Sequence, residues 1–158
     1  MSPDQKILTR DDVLRRYGRP RSSRVVFTNG CFDLLHRGHV AYLDAARRLG
    51  DVLVVGVNTD ASVQRLAKEA SRPLVREEDR AYVLASLACV DVVTLFDEDT
   101  PLSLIAALLP DVLVKGGDYT ADEVVGRREV EAAGGRLALI PIVEGYSTTA
   151  LVQRIRGG

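Results

Sequence analysis

Histidine is nearly missing from this chain. Only His36 and His39 occur in 158 residues, three positions apart. Cysteine is as scarce: Cys31 and Cys89 make neither a C-x-x-C pair nor a zinc spacing, and no third histidine completes a metal site. The two are read as small buried hydrophobes rather than a disulfide. Excess charge of one sign is also missing. The formal net charge is -1, which argues against broad electrostatic binding to nucleic acid or an anionic membrane surface. No apolar run approaches the roughly 20 residues of a membrane span. The first residues are polar and charged, with no signal-peptide core. The expectation is a soluble, cytoplasmic protein. Lysine occurs three times against eighteen arginines, so Lys68 and Lys115, both beside candidate site loops, stand out.

What is present is an ordinary globular composition, 46% hydrophobic and 27% charged, of a length that suits one domain. Residues 1–23 read as an N-terminal helical extension, with Thr9 and Asp12 capping a short helix through Tyr17. Residues 24–158 read as the domain proper. Arg24–Thr28 is an apolar strand that runs into a turn at Asn29-Gly30. Gly38–Leu49 repeats apolar residues at helical spacing, and Gly50 ends it. Val52–Val57 is a second strand, and Asn58-Thr59-Asp60 turns into a helix to Leu66. A polar loop, 67–76, leads to a helix opened by Glu77-Glu78-Asp79 and running to Ala88. Asp91–Phe96 is a third strand. Thr100-Pro101 starts a helix that Pro110 stops. Asp111–Val114 is a fourth strand, followed by a Lys115–Asp118 loop. One helix is expected from Thr120, capped with Glu123, through Ala133. Arg136–Ile140 is a fifth strand and Ser147–Ile155 a closing helix.

Strands alternating with helices, with near-continuous apolar strands, imply an α/β fold. The expected form is a Rossmann-like, doubly wound, five-stranded parallel sheet with helices on both faces. Ligands bind such sheets beyond the carboxyl ends of the strands, where strand order reverses. The loops 29–39, 58–60, 115–119 and 141–149 are therefore expected at one edge.

His36 and His39 open a helix directly after a strand. A helix mouth gathers unpaired N–H groups and partial positive charge, so it is an anion site. Two imidazoles with Gly38 between them, which lets a ligand approach the backbone closely, point to a phosphate chain. The plainer readings are two surface histidines or a metal pair.

The stretch Thr28–His39 resembles the H-x-G-H motif of the nucleotidyltransferase superfamily that includes cytidylyltransferases and pantetheine-phosphate adenylyltransferase. Class I aminoacyl-tRNA synthetases carry a related motif. This chain is too short for a synthetase with its tRNA-binding parts, and it shows no lysine-rich K-M-S-K-S-like loop. Phe27–Asp33, Asp60–Val63, Ser71–Pro73, Leu113–Tyr119 and Glu144–Thr149, in that order, resemble the adenylyltransferases of ADP-heptose synthesis. That activity is often fused to a sugar kinase. The kinase half is absent here, which implies a stand-alone version.

The resemblance implies transfer of AMP from ATP to D-glycero-β-D-manno-heptose 1-phosphate, with ATP as substrate, Mg²⁺ as its metal and no protein-held metal site. It implies backbone contacts to the nucleotide from Thr28, Asn29, Gly30, Cys31 and Phe32, and charge neutralisation by His36, His39 and the helix N-terminus. Lys68 would be a phosphate or substrate ligand, or a solvated loop lysine. Lys115, Gly116 and Asp118 would form a base-and-ribose loop, or merely a tight turn. Ser147, Thr148 and Thr149 would cap the last helix and bind a phosphate. Asn58, Asp60 and Arg80 are candidate substrate contacts. Arg80 reads equally as a surface ion pair with Glu77. Roles for Glu144 and Arg154 stay open. The partners implied are ATP and a sugar 1-phosphate, with no nucleic acid and no membrane, in a homodimer. Alternatives are another small-substrate nucleotidyltransferase, such as a glycerol-3-phosphate cytidylyltransferase, and a nucleotide-binding sensor without turnover.

Overall fold

The computed structural model describes residues 1–67, 69–117 and 119–157. In chain order the elements are α1 (Pro3–Lys6), α2 (Arg10–Tyr17), β1 (Val25–Gly30), α3 (Arg37–Arg47), β2 (Val52–Asn58), α4 (Asp60–Leu66), α5 (Glu77–Ala85) and β3 (Val92–Phe96). Then come α6 (Leu102–Leu108), β4 (Val112–Gly116), α7 (Arg127–Ala132), β5 (Arg136–Ile140) and α8 (Thr148–Ile155). All strand pairs are parallel and the order is β3-β2-β1-β4-β5. The chain winds outward from β1 in one direction, then returns to the other side of β1 with β4. The strand order reverses there, and a crevice opens between the carboxyl ends of β1 and β4.

The pleat sends successive side chains to opposite faces, and both faces are covered. Val26, Val55, Val57, Val93, Val112 and Val114 pack with Leu43 and Ala46 of α3 and Ala81, Leu84 and Ala85 of α5. Val25, Phe27, Val54, Val92 and Leu113 pack with Val13 of α2, Leu104, Ile105 and Leu108 of α6 and Val130 of α7. Continuous apolar strands follow from burial on both sides. Val13 is fully buried, and Arg21 ties the end of the N-terminal segment to the Leu108 and Leu109 carbonyls and to Asp111. Among the described residues no helix is long and apolar enough to cross a membrane.

Several expected boundaries move. Asn29 and Gly30 are not a turn: they extend β1 and pair with Gly56 and Val57. Lys115 and Gly116 likewise belong to β4, opposite Leu139 and Ile140. The neighbouring strand supplies hydrogen-bond partners that local turn propensity ignores. The single helix expected over 120–133 is broken. A 3₁₀ turn covers Ala121–Glu123, and Gly126, at φ +89°, precedes α7. The expected pairing of Thr120 with Glu123 is kept on this 3₁₀ turn, the Thr120 N–H donating to Glu123 Oε2 at 3.5 Å. A Cβ on Gly126 would come to 2.8 Å of Ile105, so this left-handed step brings the chain close onto α6. The four-residue helix α1 carries no buried residue and left no periodic signal.

Candidate active site

The loop from Gly30 to α3 is built around two aromatic rings. Phe32 sits at φ +50°, a strained conformation for a bulky residue. Its ring folds back over Gly30, where a Cβ would lie 2.9 Å from it, and meets His39 edge-on at 5.5 Å and 61°. His36 caps α3 from an extended backbone, so His39 falls one turn into the helix. The two imidazoles stack, 3.8 Å between centroids. Gly38 makes this possible, because a Cβ there would stand 2.9 Å from His36 Cε1 and Nδ1 and 3.1 Å from Tyr146 Cβ.

The His36 backbone N–H donates to His39 Nδ1 at 3.3 Å. In the neutral ring the proton is therefore on Nε2, leaving that nitrogen as a donor. Burial, and then the neighbouring His36, push the His39 pKa down to about 4. Burial lowers that of His36 too. His36 Nδ1 is buried with no hydrogen-bond partner among the described residues.

Opposite this loop, α8 is capped by Ser147, whose Oγ accepts from the Ala150 N–H at 2.9 Å. Thr148 Oγ1 donates to the Leu34 carbonyl at 3.1 Å, which pins the α8 N-terminus against the histidine loop. Two helix N-termini therefore converge. The cavity between them measures about 370 Å³ and reaches the ends of β1 and β4. Asn29, Gly30, Lys115 and Gly116 line its inner edge, and Tyr119, Ile142, Val143 and Tyr146 its apolar wall. No acidic side chain among the described residues lines it. Burial lowers the Lys115 pKa; its Nζ lies 5.3 Å from the centre of the Tyr119 ring. Donors, helix ends and a lysine with no lining carboxylate make an anion site with an apolar side compartment.

Two further cavities open from the same centre. One, about 590 Å³, lies beyond His39 and Phe32 and is lined by Leu66, Arg72, Thr148 and Thr149. Its loop is held by Asp33, whose carboxylate accepts the Leu74 and Val75 N–H groups at 2.9 Å and Arg72 Nη1 at 3.2 Å. The other, about 350 Å³, shares Asn29, Gly30, Cys31, Lys115 and Tyr119 with the first and is walled by Asn58, Asp99, Thr100 and Glu123.

The structure thus brings Asn29, Gly30, Cys31, Phe32, His36, Gly38, His39, Lys115, Gly116, Ser147 and Thr148 together around one cavity, with Thr149 on the adjoining one. Lys68 and Asp118 lie outside the described residues. Thr28 is corrected: it is fully buried, and its hydroxyl is 2.5 Å from that of Tyr42, so it supports the site from beneath. Arg80 is corrected more sharply. Its side chain has no exposed surface and therefore no surface pair with Glu77. Its guanidinium donates to the carbonyls of Cys31 (2.7 Å), Asn58 (2.8 Å) and Val75 (2.9 Å) and to Asp60 Oδ1 (2.7 Å). It clamps the ends of β1 and β2 and presents nothing to a substrate. The Asp60 carboxylate is engaged in that clamp. Asn58, 4% exposed, donates to Ser62 Oγ while still edging the smaller cavity. Cys31 and Cys89 are free thiols of intermediate burial rather than core residues. Glu144 and Arg154 are exposed. Sequence reasoning missed Tyr42, and it placed the loop 141–149 at this edge without singling out Ile142, Val143 or Tyr146. Tyr42 had a signal: it follows His39 by three residues on a helix and so shares its face.

This strand–histidine loop–helix unit, with a cavity at the strand-order reversal, defines a Rossmann-like α/β domain of the kind that holds ligands at that reversal. The chain belongs to the cytidylyltransferase-like family, whose profile matches residues 27–154. It is 59% identical over 155 residues to the bifunctional protein HldE of Syntrophotalea carbinolica, covering 96% of this chain and 31% of that protein. The chain thus spans about a third of the length of the curated relatives it matches. Among solved structures it resembles the lipopolysaccharide core biosynthesis protein of Thermoplasma volcanium. That match has a TM-score of 0.64 at 28% identity and covers 80% of this chain and 100% of the other. Pantothenate synthetase from Thermus thermophilus shares the fold, with a TM-score of 0.60 at 21% identity over 87% of this chain and 62% of that one.

Proposed function

We propose that this chain transfers the adenylyl group of MgATP to D-glycero-β-D-manno-heptose 1-phosphate, giving ADP-heptose and pyrophosphate. One observation carries the reading: His36, His39 and the N-termini of α3 and α8 converge on a cavity lined by no acidic side chain among the described residues. The choice of sugar rests on the resemblance of the five ordered motifs to adenylyltransferases of ADP-heptose synthesis. The HldE relatives and the lipopolysaccharide core biosynthesis neighbour are in keeping with it.

In this reading the triphosphate lies across the two helix N-termini, and the base and ribose enter the compartment of Tyr119, Ile142 and Val143. The sugar 1-phosphate enters through the smaller cavity, whose Asn58, Asp99, Thr100 and Glu123 offer acceptors and donors to hydroxyl groups. A phosphate oxygen of the sugar attacks the α-phosphorus in line. The new P–O bond forms as the bond to the β-phosphate breaks, and pyrophosphate leaves with its electron pair. The nucleophile is already anionic near neutral pH, its second pKa being about 6, so no general base is required. Neutral His39 donates from Nε2 to charge developing on the phosphates, and the helix ends hold the two anions in register. Among the described residues no group of three or more His, Cys, Asp or Glu side chains is placed to hold a metal. Mg²⁺ belongs to the reading as part of the MgATP substrate. The same reading assigns residues 24–158 as the transferase domain, with 1–23 as an extension packed on it, in a cytoplasmic homodimer that sedimentation will test.

The experiment is pyrophosphate release with ATP, CTP or GTP against a panel of sugar phosphates and glycerol 3-phosphate. ATP with the heptose 1-phosphate should turn over fastest. Preference for CTP with glycerol 3-phosphate would replace this reading with the cytidylyltransferase one. Nucleotide binding without release from any pair would leave a sensor.

A further inference from the structure

β1 and β4 pair at only two positions, Val26 with Val112 and Phe27 with Leu113. Yet β1 continues to Gly30 and β4 to Gly116. Beyond Phe27 the strands part, and the side chain standing in the gap comes from α3. The Tyr42 hydroxyl is 2.5 Å from Thr28 Oγ1 on one strand and 3.3 Å from the Val114 carbonyl on the other. Thr28 and Val114 are the first residues past the last paired position. Each hydroxyl supplies its own proton: with Tyr42 donating to the Val114 carbonyl, Thr28 donates to Tyr42. Burial pushes the phenol pKa up to about 12, so that proton stays in place at neutral pH. The ring lies against Gly116, where a Cβ would come to 2.9 Å of it. It also lines the main cavity.

We propose that Tyr42 is a specificity-determining residue of the adenylyl-transfer site: its ring sets how deeply a nucleoside enters, and its hydroxyl fixes the width of the split between β1 and β4. The proposal rests on reading the cavity as the ATP site. The gap is a consequence of topology, since strands diverging at the order reversal leave backbone and side-chain polar groups without ladder partners. Tyr42 satisfies two of them and fills the space with an aromatic face. Gly116 is the matching small residue, and ring and glycine form a complementary pair. Enlarging one without shrinking the other lifts the floor or spreads the strands.

The test is calorimetric titration of the full chain with MgATP and MgCTP, without sugar phosphate, beside steady-state kinetics. Tyr42→Phe keeps the ring and leaves Thr28 and Val114 unbridged. It should weaken ATP binding, and raise the KM for ATP, by about tenfold, the scale of one buried hydrogen bond with its partners left unpaired. Gly116→Ala should weaken ATP binding in the parent but not in the Tyr42→Leu background, where the methyl finds space. Tyr42→Leu alone should change the ratio of ATP to CTP affinity. If Tyr42→Leu does not fold, Tyr42→Phe combined with Thr28→Val carries the test: the double variant should bind ATP no worse than Tyr42→Phe. Parental affinity in Tyr42→Phe, or an equal effect of Gly116→Ala in both backgrounds, overturns the proposal while leaving the ATP reading in place. A parent that binds no nucleotide overturns both.

Discussion

A single methyl group at position 38 is predicted to remove most of the proposed activity while leaving the chain folded. The Gly38→Ala Cβ would sit 2.9 Å from both Cε1 and Nδ1 of His36 and 3.1 Å from Tyr146 Cβ. Carbon atoms pack best at about 3.5–4.0 Å, so the imidazole must withdraw by roughly 0.6–1 Å. Two effects oppose each other in stability. Alanine is favoured over glycine in a helix by up to about 1 kcal/mol, and an extra methyl in a packed site costs about 1–3 kcal/mol. His36 is only partly buried and swings aside more easily than a core ring, so the net change should stay within about 1–2 kcal/mol. Chemistry has no such compensation, because a displacement near 1 Å at a reacting group costs about 10²-fold in rate. Pyrophosphate release at saturating substrates and a denaturant melt measure the two quantities on one preparation. A double variant shows the route. If the methyl acts through the His36 ring, adding Gly38→Ala to His36→Ala should lower the rate little further, because contacting residues are not additive. Parental turnover in Gly38→Ala would refute the argument that His36 is held by the absence of a side chain at 38. So would two independent, multiplying losses.

His39→Ala should lower turnover by at least about 10²-fold, the scale for one preorganised donor in a transition state; near-normal turnover would remove His39 from the mechanism. Arg80→Ala should destabilise the fold by about 3 kcal/mol in urea, because three carbonyls at least partly buried and Asp60 lose a fully buried charged partner; a loss under about 1 kcal/mol would contradict the clamp. The histidine pair should make stability pH-dependent. Folded His39 titrates near 4, below its unfolded value of about 6.5, so the unfolded chain binds the extra proton. The contribution is fully present above pH 6.5, falls as the pH is lowered, and is gone below about 4. Discounted for partial exposure, it should amount to roughly 1 kcal/mol. It is read as the difference between the parent and His39→Gln, and a pH-independent difference would disprove it.

Most of the architecture was legible because both faces of the sheet are buried. Continuous runs such as Val25–Thr28 and Val52–Val57 have no other stable place than a covered parallel strand. Capping residues placed several helix starts within a residue: Thr9 accepts from the Asp12 N–H, Thr59 from Ser62 and Ser147 from Ala150. The misses share one cause. Asn29-Gly30 and Lys115-Gly116 look like turns in isolation, yet they are strand ends once β2 and β5 lie alongside. Arg80 looked like a helix-surface arginine, since nothing local reveals that three carbonyls and a carboxylate from other segments meet its guanidinium.

The sequence alone determined a doubly wound α/β domain and a strand-to-helix loop carrying both histidines, because hydrophobic period, caps and glycine positions act over a few residues. Tertiary structure alone decided which of the candidate residues face a common cavity. The parting of β1 from β4 after Phe27, the withdrawal of Thr28 and Arg80 into the interior and the insertion of Tyr42 into the gap all need distant segments to meet in space. So does the seating of α8 against the histidine loop, where Thr148 reaches Leu34 across 114 positions of chain. Such contacts are set by packing across the sheet, which no local pattern of residues encodes.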